Sequence, residues 1–147
     1  MYNKIIKLII IISLVIVSNA LAKDIIKIYP RYMYTIDGDT LVFKYHQLPI
    51  TIRLIGIDTF ETKNNKHLLK QIKKFKITKE EAIRRGKMAK RFVKRLFKIG
   101  NTYCIRINKK HLKGGYGRYL GEVYLNRNCS GKSLNAILLE QNLAYIY

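Results

Sequence analysis

The sequence has few acidic residues, and this shortage is its most informative feature. Only 9 Asp and Glu stand against 29 Lys and Arg, which gives a net charge of +20. A field of this sign attracts polyanions, and nucleic acid is their commonest representative. Anionic membrane lipid or cell-wall polymer is the competing ligand class. The charge therefore indicates an anionic partner and does not by itself indicate chemistry.

Cysteine is equally scarce, with Cys104 and Cys129 as the two representatives. They lack the paired spacing of a zinc site, so a zinc-binding module of that type is excluded. An exported protein is permitted a disulfide. We favour one bridge, because the two segments that carry these cysteines are expected to run side by side. Two buried thiols are the alternative.

A long membrane-spanning run is also missing. The apolar stretch over residues 8–17, which only Ser13 interrupts, is shorter than the roughly 20 residues that a bilayer crossing takes. Lys4 and Lys7 precede it, and small residues at the A-x-A spacing end at Ala22. We therefore interpret residues 1–22 as a signal peptide cleaved near Ala22, with an uncleaved anchor as the alternative. Residues 23–147 would be one domain, periplasmic or secreted, with no membrane attachment.

The mature chain begins with a β pattern. Residues 24–57 contain short runs rich in β-branched and aromatic residues, broken by Pro30 and by the step Asp37-Gly38, as in an antiparallel meander. Residues 62–79 are rich in lysine and show no clean periodicity. We interpret this segment as a mobile basic loop with, at most, some helix.

A helical pattern follows from Glu80, where apolar residues recur at helical spacing until Gly100. Strands are predicted over 103–107 and 119–125, with a basic glycine-containing loop between them. A last helix begins after Ser133, which has the chemistry of an N-cap. This order predicts an α+β, mainly β fold: a five-stranded OB-type barrel with two helices.

Three short clusters, 37–40, 53–61 and 116–118, carry side chains suited to phosphate chemistry. Each cluster on its own is also compatible with a purely structural role, and Asp-Gly is most often only a turn. Arg53 is harder to explain as surface charge, because strand alternation places it among largely apolar neighbours. Its guanidinium there needs an acidic partner or an anion. The candidates are a phosphate and the carboxylates of Asp39, Asp58 and Glu61.

Together these clusters resemble the ordered signature of the staphylococcal nuclease family. The matching stretches are Ile36-Asp-Gly-Asp-Thr40, Arg53-Leu-Ile-Gly-Ile-Asp58-Thr59-x-Glu61 and Tyr116-Gly-Arg118. Leu134-Asn135 and Leu143-Ala144 resemble the second helix of that family and the turn after it. The resemblance covers residues 34–145. It implies an exported endonuclease that depends on Ca²⁺, hydrolyses DNA and RNA, prefers single strands and leaves 3′-phosphate ends.

The resemblance also implies roles for the acidic residues. Asp39, Asp58 and the backbone carbonyl of Thr59 would hold one Ca²⁺, and these hard oxygen ligands suit that hard cation. Asp37 would lie just outside the metal ligands. Glu61 would orient or deprotonate the attacking water.

Arg53 and Arg118 would clamp the scissile phosphate and stabilise its charge in the transition state. Tyr116, Tyr145 and Tyr147 resemble the tyrosines that line the nucleotide pocket, where they would stack on a base or bond a phosphate. The expected partners are DNA and RNA substrates. We expect a monomer without a stable protein partner.

Three departures from the family pattern leave a second function open. Phe60 replaces the usual proline, residues 62–79 form a longer segment, and the familiar third, C-terminal helix is not expected. A bridge between Cys104 and Cys129 would compensate for that helix by about 2–4 kcal/mol. The second function is an exported OB-type protein that binds nucleic acid without cutting it. A cationic protein for membrane or cell-wall polymer is a third, but it leaves the acidic residues unexplained.

Overall fold

A computed structural model describes Ile6 and residues 24–147, so the predicted signal peptide, apart from Ile6, lies outside the described residues. The fold is α+β, as predicted. Its strands are β1 (Ile25–Ile28), β2 (Arg31–Asp37), β3 (Thr40–Tyr45), β4 (Leu48–Leu54), β5 (Ile57–Asp58), β6 (Cys104–Asn108), β7 (Tyr119–Tyr124) and β8 (Tyr145–Ile146). Its helices are α1 (Lys66–Phe75), α2 (Lys79–Leu96) and α3 (Leu134–Glu140). Within the described residues, no helix is both long and apolar enough to cross a membrane.

Six of the strands form one mixed sheet in the order β1-β6-β7-β4-β3-β2. Its neighbours pair antiparallel except β4 and β7, which are parallel. The β2–β3 hairpin closes where the Asp-Gly step predicted, with Asp37 paired to Thr40. A bridge between Arg31 and Thr102 brings the start of β2 beside the segment that enters β6, which curls the sheet towards a barrel. The short strands β5 and β8 pair separately.

Strand β4 shows how side-chain alternation separates the core from the site. Ile52 and Leu54 are buried in the apolar core, whereas Arg53 between them points to the opposite face. Burying an aliphatic side chain of this size contributes roughly 1.5–3 kcal/mol. The fully buried large side chains of this core include Leu41, Phe43, Ile52, Leu54, Ile105, Val123, Leu134 and Leu138. The core thus fixes the strand that carries the arginine.

Helix α2 packs against the chain segment at Phe60 and Glu61. It begins at Thr78, whose hydroxyl accepts the Glu81 N–H at 3.2 Å, near the predicted start. A Cβ placed on Gly86 would lie 2.5 Å from the carbonyl oxygens of both Phe60 and Glu61. Only glycine therefore allows this approach of helix to backbone.

The segment predicted as a mobile basic loop contains helix α1, which is the main difference from the sequence prediction. The Asn65 side chain accepts the Leu68 N–H at 2.8 Å and caps the helix. Leu68 is fully buried and packs with Phe60 and Ala82 in a second, smaller apolar cluster. The frequent lysines hide this amphipathic helix in the sequence.

The predicted count of five strands and two helices therefore differs from the eight strands and three helices found over residues 24–147. Helix α3 begins after Ser133 as predicted, and the serine hydroxyl accepts the Ala136 N–H at 3.3 Å. Strand β8 follows α3 and pairs with β5. Cys104 and Cys129 form a disulfide with their Cα atoms 5.3 Å apart.

Candidate active site

A cleft of about 850 Å³ brings the predicted chemistry-bearing clusters together. The β2–β3 turn, β4, β5, α1 and residues 114–118 all contribute to its lining. Four of the nine acidic residues of the chain line it: Asp37, Asp39, Asp58 and Glu61. Such a concentration of carboxylates is unfavourable unless cations lie beside them. Arg53, Lys66, Lys70 and Arg118 line the same cleft, which therefore combines groups suited to a cation with groups suited to an anion.

Arg53 lies between two of these carboxylates. Its Nη1 is 3.1 Å from Asp39 Oδ2, and its Nη2 is 2.6 Å from Asp58 Oδ1. The three side chains are 14, 8 and 3 % exposed, respectively, so water screens these ion pairs only weakly. These are the acidic partners that the position of Arg53 on its strand required.

Besides Arg53, three hydrogen-bond donors hold Asp39 at the β2–β3 turn. Thr59 donates its N–H at 2.7 Å and its hydroxyl at 3.0 Å to Oδ2, and Thr40 donates its hydroxyl to Oδ1 at 2.9 Å. Burial raises the pKa of Asp39, while the charge of Arg53 and the Thr59 N–H oppose that rise. An additional cation would therefore favour the charged form of Asp39.

Asp58 accepts from a different set of side chains. Its Oδ2 lies 2.8 Å from His67 Nε2 and 3.1 Å from Gln71 Nε2, and it also accepts the Tyr145 hydroxyl. Burial alone would raise the pKa of Asp58, but the hydrogen bonds from Tyr145 and His67 and the charge of Arg53 lower it overall. Asp58 is therefore ionised at neutral pH.

Glu61 is half-buried at the mouth of the cleft. Its backbone N–H donates to Gln71 Oε1 at 3.0 Å, and its Oε2 accepts the Asn65 side-chain amide at 2.8 Å. One carboxylate oxygen thus has no hydrogen bond within the described residues. Asp37 lines the same cleft and accepts the Thr62 hydroxyl at 2.5 Å.

Arg118 and Tyr116 form the opposite wall. The Arg118 Nε donates to the Gly115 carbonyl at 3.1 Å, and its guanidinium lies 5.6 Å from the centre of the Tyr116 ring. Tyr116 is 99 % exposed and has a φ of 62°. Among the described residues, no acidic side chain pairs with Arg118. Its guanidinium remains available for an anion in the cleft.

The structure separates the two C-terminal tyrosines. Tyr147 is exposed and lines the cleft. Tyr145 lies beneath it, with its hydroxyl on Asp58 and its ring 5.7 Å from Phe60 and 4.6 Å from Phe75. Burial, followed by the hydrogen bond to Asp58, raises the pKa of Tyr145, so the phenol stays a neutral donor. Tyr145 therefore supports a carboxylate and is not placed to stack on a base.

Sequence reasoning missed three polar residues of the site. Asn65, His67 and Gln71 all come from the α1 region and contact Glu61 or Asp58. The available signal was the four-residue spacing of His67 and Gln71, which places both on one side of a helix. That signal has meaning only once the segment is known to be helical.

Comparison with known families agrees with this arrangement. A sequence model described as "Staphylococcal nuclease homologue" matches residues 51–147, about two thirds of the chain. The chain belongs to the staphylococcal nuclease family. This match identifies residues 51–147 as part of a nuclease-like domain.

The staphylococcal nuclease match begins at Thr51, so Asp37 and Asp39 lie before it. Their place in the site rests on the structure, which brings Asp39 to 3.1 Å from Arg53. The chain is also 28 % identical over 122 residues to an uncharacterized protein of Methanocaldococcus jannaschii. That alignment covers 81 % of this chain and 59 % of the relative, so the chain spans about three fifths of the relative's length.

Members of the staphylococcal nuclease family are typically Ca²⁺-dependent, and the donor chemistry of the cleft fits that ion. Asp39 and Asp58 line the cleft and supply hard oxygens, which calcium prefers. The Thr59 carbonyl, next to Asp58 in the chain, adds a third such oxygen and accepts the Gln71 amide at 2.8 Å. Arg53 balances only one of the two carboxylates, so the group retains negative charge for a cation. The described residues contain no cluster of three or more His, Cys, Asp and Glu side chains arranged for a metal. A backbone carbonyl and water would therefore have to complete the coordination.

Proposed function

We propose that this protein is an exported, Ca²⁺-dependent endonuclease that hydrolyses phosphodiester bonds of DNA and RNA. The observation that carries the proposal is Arg53 bonded to both Asp39 and Asp58 on the floor of a cleft that Glu61 and Arg118 also line. A surface that only binds polyanions gains nothing from carboxylates facing its cations. A hydrolytic site needs both charges, one for the phosphate and one for the water or metal.

Asp39, Asp58 and the Thr59 carbonyl would hold the Ca²⁺. When bound, the ion supplies Lewis-acid charge to the phosphate and to water. Arg53 lies where its planar guanidinium can donate two parallel N–H groups to a phosphate. Its present carboxylate partners hold that guanidinium in place before substrate arrives, which lowers the ordering cost of binding.

Glu61 would orient or deprotonate the attacking water. Its unbonded carboxylate oxygen faces a cleft that is open to solvent, and the Asn65 amide restrains the other oxygen. The Gln71 side chain fixes the backbone of Glu61. A positioned base of this kind typically contributes 10²–10⁴-fold to a rate.

Arg118 would bind the scissile phosphate from the opposite wall and stabilise the charge that develops in the transition state. Tyr116 and Tyr147 expose aromatic surface at the cleft and would stack on unpaired bases. Bases held in a duplex cannot reach these rings. Single strands are therefore the preferred substrate, and cleavage would leave 3′-phosphate ends.

Export follows from the proposed signal peptide at residues 1–22. Production of the full chain in a host with a secretion pathway is expected to yield a protein whose intact mass corresponds to residues 23–147 with one disulfide. A retained N-terminus in the membrane fraction would contradict this part of the proposal.

The decisive experiment follows hydrolysis of heat-denatured DNA by the exported protein with Ca²⁺ and with EDTA, and identifies the product ends. We expect Ca²⁺-dependent cleavage to 3′-phosphates. Arg53→Ala should lower the rate by at least about 10²-fold, as loss of a fixed donor does. Arg127→Ala, which removes an exposed cation outside the cleft, is the matched control and should retain wild-type activity.

A folded protein that retards DNA on a gel yet cuts neither DNA nor RNA under any metal would contradict the proposal. The nucleic-acid-binding function would then replace it. Equal loss of activity in Arg127→Ala would show that overall charge, and not the cleft, determines the rate.

A further inference from the structure

Gln71 is a buried amide in an otherwise lysine-rich helix. It lies in the middle of α1 and is only 2 % exposed. A neutral amide is costly to bury unless its donors and acceptor are bonded. The groups that bond this amide therefore determine whether its burial is favourable.

The partners of Gln71 belong to the candidate active site. Its Oε1 accepts the Glu61 N–H at 3.0 Å, and its Nε2 lies 2.8 Å from the Thr59 carbonyl and 3.1 Å from Asp58 Oδ2. The Tyr145 hydroxyl is also 2.8 Å from Nε2. Two amide hydrogens thus face three oxygens, so the donor side of this amide is fully used.

These bonds link groups that have separate roles in the proposed reaction. By bonding the Thr59 carbonyl and the Glu61 N–H, Gln71 holds the backbone on both sides of Phe60. Gln71 also contacts Asp58, one of the two carboxylates proposed to bind Ca²⁺. One side chain thereby sets the spacing between the oxygens proposed for Ca²⁺ and the residue proposed to act on water.

Apolar packing fixes the position of helix α1 and thereby the position of Gln71. Leu68 is fully buried against Phe60, and the Phe75 ring lies 5.2 Å from the Phe60 ring. This packing explains why phenylalanine replaces the usual proline at position 60: its ring provides the apolar surface that α1 contacts. The helix and the aromatic residue at this position belong to one packing unit.

We propose that Gln71 is a positioning residue of the proposed phosphodiesterase reaction, and that α1 exists to hold it. The proposal rests on the function proposed above. Gln71 sets the metal-binding oxygens of Asp58 and Thr59 relative to Glu61 without itself contacting substrate. A buried amide that served only the core would stabilise the fold and leave metal affinity and turnover unchanged.

The test replaces Gln71 with Met, which keeps the volume and removes every hydrogen bond. Ca²⁺ affinity is measured by calorimetry, and kcat and KM are measured on denatured DNA, at a temperature where circular dichroism shows a folded protein. Loss of a residue that orients metal ligands typically costs 10- to 100-fold in metal affinity or activity. We expect that loss in Ca²⁺ affinity and kcat, with KM for DNA changed less than about twofold.

Two further variants make the result specific. Gln71→Asn keeps the amide but shortens it by one methylene, so it should show the same loss even if Gln71→Met does not fold. Val123→Ala weakens the main apolar core on β7, away from Gln71 and its hydrogen-bond partners. It should lower the melting temperature yet keep the wild-type Ca²⁺ affinity and kcat below that temperature.

Wild-type Ca²⁺ affinity and kcat in a folded Gln71 variant would overturn the inference and leave the proposed function intact. Equal losses in Val123→Ala would also overturn it, because a general loss of stability and not the amide would then be responsible. A wild-type protein that binds Ca²⁺ but never hydrolyses nucleic acid would overturn the proposed function, while calorimetry would still report on Gln71. A wild type that binds no Ca²⁺ would overturn both.

Discussion

The two walls of the cleft differ in how far they are organised before substrate binds. The α1 wall buries Gln71 and places His67 and Gln71 on Asp58 at 2.8 and 3.1 Å. The opposite wall exposes Tyr116 almost completely, and the Arg118 guanidinium rests on a neighbouring carbonyl. One wall therefore holds the carboxylates, and the other offers groups that an incoming nucleotide must order.

Because of this contrast, the two arginines should differ in how much they contribute to the stability of the free protein. Arg53 belongs to the organised part, where it balances buried carboxylates, so it should contribute to stability as well as to the phosphate binding proposed for it. Arg118 belongs to the open part and should contribute only once substrate is present.

Arg53→Ala and Arg118→Ala should separate stability from activity. Removing Arg53 leaves Asp39 and Asp58 without their cation and should lower the free energy of unfolding by about 3–5 kcal/mol. Removing Arg118 should change it by less than about 0.5 kcal/mol. Both variants should lose at least about 10²-fold in rate. Urea unfolding and DNA hydrolysis measure the two effects, and an Arg118 variant as unstable as the Arg53 variant would contradict the division.

Removing the disulfide should show whether Ca²⁺ binding at the α1 wall depends on a covalent bond outside the cleft. Cys104 and Cys129 close a loop of 25 residues and do not line the cleft. Replacing both with serine should lower the free energy of unfolding by about 2–4 kcal/mol and leave Ca²⁺ affinity unchanged. Thermal unfolding and calorimetry provide the two measurements. An unchanged melting temperature would show that the bridge has no stabilising role.

The pH dependence of stability tests the environment of Asp58. Its pKa is lowered in the folded protein, so its ionised form adds stability above the ordinary carboxyl pKa of about 4. That contribution fades as the pH falls from this value through the lower pKa of the folded state. The difference in unfolding free energy between wild type and Asp58→Asn should therefore shrink on acidification over this range. A difference that stays constant would show that Arg53, His67 and Tyr145 do not favour the charged carboxylate.

The lysines of α1 give the smallest expected effect. Lys66 and Lys70 are exposed on the cleft, and neither pairs with an acidic side chain within the described part of the chain. If both bind phosphates of a single strand, their replacement by alanine should reduce the slope of log Kd against log salt by about 1.4. The double variant Lys73→Ala/Lys87→Ala removes the same charge outside the cleft and is the control. Equal slopes in both variants would mean that α1 does not extend the substrate groove.

Local signals in the sequence predicted much of the fold. The β-branched runs, the Asp-Gly turn, the start of α2 and the Ser133 cap appear near the predicted places because each depends on short-range chemistry. Helix α1 was missed because lysines interrupt its apolar positions, although Leu68, Ile72 and Phe75 recur at helical spacing. Its stability comes from packing on Phe60 and α2, which the local sequence does not reveal.

The site was predictable where residue type restricts the possible partners. An arginine on an apolar strand required an acidic partner or an anion, and Asp39 and Asp58 were among the few carboxylate candidates. Gln71 gave no such signal, because a neutral amide in a lysine-rich segment is compatible with a solvated surface. Tyr145 was placed with the substrate tyrosines, whereas the pairing of β5 with β8 turns it towards Asp58. Roles that arise from long-range pairing stay hidden until the strands and helices are assembled.

The central claim is that the carboxylates and arginines of this cleft hydrolyse phosphodiesters. Its most direct test is the initial rate of hydrolysis of heat-denatured DNA in Ca²⁺ by wild type and by Glu61→Gln, with equal protein folding and equal DNA binding verified first. We expect the wild type to cleave and the variant to be slower by about 10²–10⁴-fold. A variant that cleaves as fast as the wild type, or a wild type that binds DNA without cleaving it, would contradict the claim.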